Sequence, residues 1–261
     1  MTETASNDAS STPIDDPSDG WFPESVAATY DDPEGANTPE VVNPAVDLLA
    51  DLAGSGPALE LAIGTGRIAV PLAARGVAVS GIELSRAMAA RIGEKPGGEH
   101  IDVAIGDMTS TRVPGEFSLV YLVFNTIANV TTQDGQVDVF RNAAAHLRPG
   151  GLFLIEVGIP DLRRIPPGQD TVPFTVAPDA GGGYVGFDRY DTATQRFTSN
   201  HVTVTADGGR FRTIPFRYAW PAEMDLMARI AGMRLKHRWA DWDRSPFEHE
   251  STKQVSVWEK V

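Results

Sequence analysis

Residues Glu60 to Gly66 read Glu-Leu-Ala-Ile-Gly-Thr-Gly, a short apolar strand running into a glycine turn, and a helical stretch follows from Arg67 to Ala74. A strand that opens through glycines onto a helix begins a parallel α/β unit, since parallel neighbours need a crossover connection. Glycines also clear the turn of side chains, so the backbone can close on a ligand. Gly76 suits the position just past a helix end, and Val77 to Glu83 has strand character. Glu83 therefore stands at a strand's carboxyl end, roughly 20 residues beyond the glycines, where an acid can accept from both hydroxyls of a ribose. A third strand, with Ile101, Val103 and Ile105 on one face, ends at Gly106-Asp107-Met108. Asp107 is placed to accept from an adenine amino group, with Met108 against the ring.

The carboxylate of Glu60 discriminates among nucleotides. Where the helix N-terminus meets a pyrophosphate, an acid facing the turn repels the ligand. An aminium and a sulfonium are instead attracted, and S-adenosylmethionine carries both. Gly64 to Ala69 also satisfies a dinucleotide fingerprint with alanine in third place. An NAD(P)-dependent oxidoreductase therefore stays as an alternative, as does a non-catalytic cofactor-binding scaffold.

With these residues in order, the chain resembles the class I S-adenosylmethionine-dependent methyltransferases of small-molecule type, over roughly Asn43 to Gly158 and the chain end. In kind it is most similar to actinobacterial amino-sugar N-methyltransferases. The resemblance implies a Rossmann-like seven-stranded, mostly parallel α/β sheet whose last strand is antiparallel. It assigns S-adenosyl-L-methionine as cofactor, held by Glu60, Ala62, Gly64, Gly66, Glu83, Leu84, Asp107, Met108 and Phe124. Ala62 stands where the family's first glycine is usual.

Composition bounds the rest. The 261 residues are 42% hydrophobic, enough for one elaborated domain with a sizeable core, and there is no cysteine for disulfide or thiolate chemistry. A formal charge of −13 opposes polyanions, so no nucleic-acid partner is expected. No basic segment with an apolar core opens the chain and no run reaches a membrane-spanning length, which predicts a cytoplasmic protein without a membrane partner. Homo-oligomerisation stays open, and no metal site is expected.

Met1 to Asp19, rich in Ser, Thr, Asp and Pro, reads as a disordered tail, and residues 20–261 as the domain. Trp21, Phe22, Val26 and Tyr30 are expected to fold over the cofactor mouth. Asn43 reads as a helix cap before Pro44, with Gly54 past the helix end. Leu119 to Phe124 is a central strand, apolar on both faces, followed by Asn125. Val137 to Leu147 is the next helix, with His146 set to complement its dipole.

After a fifth strand, Leu152 to Glu156, residues 170–220 carry β-rich runs and the hairpin signal Asp207-Gly208-Gly209. They predict an antiparallel lid inserted before a helix that starts at Pro221. The lid's Arg189, Arg196, Arg210, Arg212 and Arg217 outnumber Asp188, Asp191 and Asp207, which favours an anionic small-molecule acceptor. The expected chemistry is methyl transfer to an N or O atom by in-line displacement. Tyr30, Asn125 and His201 are the catalytic candidates, His201 as a base if the acceptor is a hydroxyl.

Overall fold

The computed structural model describes residues 19–31, 38–160, 162–179 and 182–261. A seven-stranded sheet forms the body: β1 (Ala58–Leu61), β2 (Val79–Glu83), β3 (Asp102–Ile105), β4 (Phe117–Leu122), β5 (Leu147–Gly158), β10 (Met233–Trp239) and β11 (Lys253–Lys260). The strand order is β10-β11-β5-β4-β1-β2-β3. β11 runs antiparallel to both of its neighbours, and the β1, β2, β3, β4 and β5 pairings are parallel. The order reverses between β1 and β4, and there the carboxyl ends of the strands open a crevice.

Burial on both faces explains the near-continuous apolar strands. Leu119 and Tyr121 of β4 point toward α2 (Pro39–Ala53) and α3 (Ala69–Ala74), whose Val42, Ala45, Leu49 and Leu72 complete that core. Val120 and Leu122 point the other way, toward Phe140 and Ala143 of α5 (Gln133–His146) and Met224 and Met227 of α6 (Pro221–Ile230). Phe140, Phe153 and Trp258 meet here at centroid distances of 5.2, 5.2 and 6.1 Å, the first two edge-on.

The inserted lid is a separate four-stranded antiparallel sheet of β6 (Thr171–Asp179), β7 (Gly182–Asp191), β8 (Arg196–Thr205) and β9 (Gly208–Arg217). Thr205 pairs with Gly208, so the turn that carries Asp207 has two residues. Such a tight turn fixes the register and therefore which side chains share a face.

Several expectations need correction. α2 begins at Pro39, so Asn43 and Pro44 lie inside it rather than capping it. The buried stripe of Val42, Ala45, Val46 and Leu49 continues upstream of Pro44, and its burial outweighs the one backbone bond that proline removes. β4 stops at Leu122, leaving Phe124 beyond the strand. His146 is buried, accepting from the Val113 amide at Nε2 while Nδ1 meets the Asn142 carbonyl oxygen at 2.9 Å. Burial holds its pKa low, so it is a neutral structural wedge and not a charge on the helix dipole. The expected tail lies outside the described residues except for Asp19, which is buried and accepts from the Arg86 amide at 2.6 Å. Among the described residues no helix is long and apolar enough to cross a membrane.

Candidate active site

The turn after β1 positions the site. Ala62 has φ 53°, Gly64 φ 59° and Gly66 φ 77°, all left-handed. That conformation explains why glycine suits the first position, and an alanine there carries strain. Gly66 has a packing role: a Cβ would stand 3.1 Å from both Ile92 and Val70.

Beside the turn lies a cleft of about 300 Å³, lined among others by Tyr30, Ala62, Gly64, Glu83, Leu84, Asp107 and Met108. Glu83 is buried at the end of β2, where Oε2 accepts from the Gly64 amide at 2.8 Å and Oε1 from the Ser85 amide at 2.9 Å. Each oxygen keeps a further acceptor position. Burial pushes this carboxyl up in pKa while the amides pull it down, so a ligand that donates to it relieves its desolvation. Asp107 is exposed at the far wall, its Oδ1 accepting from the Thr109 amide at 2.8 Å. Leu84, 49% exposed, is an apolar surface turned into the cleft.

The N-terminal segment closes one side. α1 (Glu24–Ala27) follows Trp21 and Phe22, both of which line the cleft with Asp19. Ser85 Oγ donates to the Phe22 carbonyl at 2.7 Å, and Arg212 of the lid donates to the Trp21 carbonyl at 2.7 Å. Phe22 and Tyr30 meet edge-on at 6.0 Å. Asp31 then accepts from Thr65 Oγ1 at 2.7 Å and pairs with Lys95 at 2.8 Å, tying the segment to the glycine turn.

A smaller hollow of about 40 Å³ joins Tyr30, Ala62 and Gly64 to Glu60, Arg67 and Phe124. Glu60 is 3% exposed, its Oε2 accepts from Tyr121 Oη at 3.0 Å, and burial pushes its carboxyl up to about 8. The Arg67 guanidinium carbon sits 3.4 Å from the centre of the Phe124 ring, a cation–π contact. Phe124 and Asn125 both adopt left-handed backbone, at φ 56° and 61°. Glu156 Oε2 accepts from the Phe124 amide at 2.7 Å, and Asn125 Oδ1 accepts from the Gly158 amide at 2.6 Å. The ends of β4 and β5 are thereby pinned, which stabilises an otherwise costly pair of residues.

Asn125 does not line the cleft. It lines a second cavity of about 350 Å³ between the ends of the main sheet and the lid, with Phe174, Asp188, Tyr190, Phe197, Ser199, Phe216, Arg217 and Tyr218. Residues 124–130 thus form a wall between the cleft, the hollow and the lid cavity. His201 lines none of the three; its Nδ1 bonds Tyr184 Oη and its Nε2 lies 3.4 Å from Ser199 Oγ.

The lid arginines mostly have protein partners. Arg189 pairs with Asp170 at 2.8 Å, Arg196 donates to the Thr131 carbonyl, and Arg217 is buried against Glu223 and Gln136 Oε1, both at 2.6 Å. Only Arg217 of the five lines the lid cavity. Sequence reasoning missed Arg67, Tyr121, Glu156, Asp19 and the position of Asp188. A tyrosine inside an otherwise apolar central strand was a usable signal, since a buried hydroxyl needs a partner.

A family model described as a methyltransferase domain matches residues 58–151. The cypemycin N-terminal methyltransferase of a Streptomyces species is 26% identical over 210 residues, which is 77% of this chain and 82% of that protein. The solved CcbJ methyltransferase of Streptomyces caelestis is 32% identical with a TM-score of 0.79, covering 90% of this chain and 96% of that one. CalS10, an amino pentose methyltransferase from Micromonospora echinaspora, shares the fold at TM-score 0.65 and 19% identity, covering 90% of this chain and 95% of that one.

Proposed function

Because this chain belongs to the class I S-adenosylmethionine-dependent methyltransferases, we propose that it methylates the nitrogen of a small-molecule amine, held under the lid while the cofactor occupies the cleft. The observation that carries this reading is the common wall: residues 124–130 have the nucleotide-type cleft on one side and the lid cavity on the other. When bound, the cofactor supplies an electrophilic methyl group. Glu83 would accept from the ribose hydroxyls, Leu84 and Met108 would flank the adenine, and Asp107 would accept from its amino group. Arg67 would present its positive charge to the carboxylate of an amino-acid end, and Glu60, which burial keeps protonated up to about 8 in the ligand-free protein, would offer its carboxyl oxygens to the aminium. The left-handed turn at Ala62 and Gly64 brings the backbone close without side-chain obstruction.

Catalysis on this reading is chiefly positional. Tyr30 lines both the cleft and the hollow, and its hydroxyl, whose pKa burial raises, stays a neutral donor or acceptor. Asn125 shapes the acceptor side through its bond to Gly158. An amine attacks without a base once deprotonated, and near-attack geometry supplies most of the acceleration. Nitrogen is preferred to oxygen because His201, the lid's histidine candidate for a base, lies outside the cavity lining. The cypemycin N-terminal methyltransferase and the amino pentose methyltransferase, both named for nitrogen-bearing acceptors, support the same choice. An anionic acceptor has less support, since the cavity's arginine is already neutralised by Glu223. The reading places the enzyme in the cytoplasm.

The test is calorimetric titration with S-adenosylmethionine, then mass spectrometry of an amine panel for the gain of one methylene. Glu83→Ala should weaken cofactor binding on the order of tenfold or more, by loss of two charge-assisted hydrogen bonds. Unchanged affinity in the folded variant, or methylation confined to alcohols, would overturn the assignment.

A further inference from the structure

The lid cavity has a feature that methyl transfer does not require. Its lining is aromatic: Tyr190 stacks on Phe197 at 5.1 Å, Phe197 on Phe216 at 5.0 Å, and Tyr218 stands 6.2 Å from Tyr190. Cross-strand register puts Tyr190, Phe197 and Phe216 on one face of the lid, together with Asp188, Ser199 and His201. Phe174 covers this face at Gly186, where any Cβ would stand 2.1 Å from its ring, so the glycine makes room for it. Phe174 also meets His201 edge-on at 5.6 Å.

Among the described residues lining the cavity, the charged ones are Asp188 and Arg217. Arg217 is spent on Glu223 and Gln136. Among the described residues no arginine or lysine pairs with Asp188, and Arg212, on the same face opposite His201, donates to the Trp21 carbonyl; Asp188 accepts from Ser199 and from Tyr190 and feels the His201 ring. The surplus charge of an aromatic-walled cavity is therefore one carboxylate.

The hydrogen bonds around it run in one direction. A neutral His201 that accepts Tyr184 Oη at Nδ1 must carry its proton on Nε2, which then donates to Ser199 Oγ. Ser199 in turn donates to Asp188. Each donor points toward the carboxylate, which offsets in part the rise in pKa that burial gives it.

We propose that Asp188, with the Tyr190, Phe216 and Tyr218 rings, is a recognition subsite for a cationic acceptor, which enters as an ammonium and is held there by ion pairing and cation–π contact. The proposal rests on the amine reading above and names its substrate class. Phe197 has both faces covered by its neighbours, so the outer faces of the stack, on Tyr190 and Phe216, and the Tyr218 ring remain beside the carboxylate, and together they favour a cation through charge and through the ring quadrupoles. Asp188 recognises the ammonium and is not asked to act as a base; the acceptor nitrogen gives up its proton to water before it attacks. The freed nitrogen lone pair then forms the bond to the methyl carbon as the carbon–sulfur bond breaks, and that electron pair stays on sulfur. His201 and Tyr184 are positioning residues that act through Ser199.

The test titrates the full chain, saturated with S-adenosylhomocysteine, with three probes of one shape: phenethylammonium, 2-phenylethanol and phenylacetate. The expected order is ammonium first, alcohol weaker, carboxylate weakest. Asp188→Asn should cost ammonium on the order of a hundredfold in affinity and leave the alcohol unchanged. Tyr184→Phe should weaken ammonium a few-fold without moving the alcohol or the nucleoside, a selectivity that mere loss of structure would not give. Equal binding of ammonium and alcohol by the unmodified protein, preference for the carboxylate, or an Asp188→Asn variant that keeps its ammonium affinity would each overturn the subsite. Failure of the nucleoside to bind would instead overturn the methyltransferase reading, since the subsite lies on the other side of the wall.

Discussion

Replacing Glu60 by glutamine should stabilise the ligand-free protein, by an amount that depends on pH. The carboxyl is 3% exposed, and burial raises it from about 4.5 in the unfolded chain to about 8 in the fold. Between those values the unfolded chain has lost a proton that the folded chain retains. Stability therefore falls as pH rises, by about 1.4 kcal/mol per pH unit. At pH 7 the accumulated cost is about 3 kcal/mol; below pH 4.5 it vanishes, and above pH 8 it grows no further. Glutamine does not titrate and still offers an oxygen to Tyr121 Oη. Urea denaturation of wild type and Glu60→Gln at pH values from 5 to 8 isolates the effect, because Glu83, Glu156 and Glu259 are common to both proteins. The variant should gain on wild type steadily across that range. A difference independent of pH would refute the reasoning and mean that Glu60 is already ionised, held by Arg67.

Three further outcomes follow from particular contacts. Arg210→Gln with Arg212→Gln should leave the acceptor's KM within about twofold, since neither residue lines the lid cavity, and should weaken cofactor binding through loss of the Arg212 bond to Trp21; a large rise in acceptor KM alone would restore the anionic-acceptor reading. Ala62→Gly should raise stability by about 1 kcal/mol in thermal melts by relieving a left-handed alanine at φ 53°. Trp258→Ala should cost about 3–5 kcal/mol in denaturant, because the ring is fully buried against Phe140 and Phe153 and donates to Asp225 at 2.9 Å.

The parallel sheet was legible because its determinants are local: apolar runs, glycine turns at φ near 60° and acids at strand ends leave their mark within a few residues. The lid was legible for a similar reason, since a two-residue turn at Asp207 sets the register of a whole hairpin. Misreadings arose where burial overrode local grammar. Pro44 resembled a helix start, yet the apolar stripe of α2 carried the helix across it. His146 lay at a helix end, yet its ring was pulled inward and neutralised. The arginine count in the lid was correct and its meaning was not visible, because partners such as Asp170, Thr131, Gln136 and Glu223 come from elsewhere in the chain. Asp188 became distinctive only once strand pairing gathered three rings beside it.

The knot at the base of the lid sets the seams along which this enzyme can be recombined. Arg217 closes β9 and binds Gln136 of α5 and Glu223 of α6, so one ion pair spans the insert and the body. A chimera that imports a foreign lid but drops this arginine, and Gln195 with it, would leave Glu223, whose side chain is 16% exposed, with Gln133 alone of these partners, at a cost of about 3 kcal/mol. Grafts that carry residues 217 and 223 together, onto a body that keeps Gln136, avoid the penalty. Acceptor range in such a scaffold can then be exchanged as a cassette, while the glycine turn and its acids stay untouched.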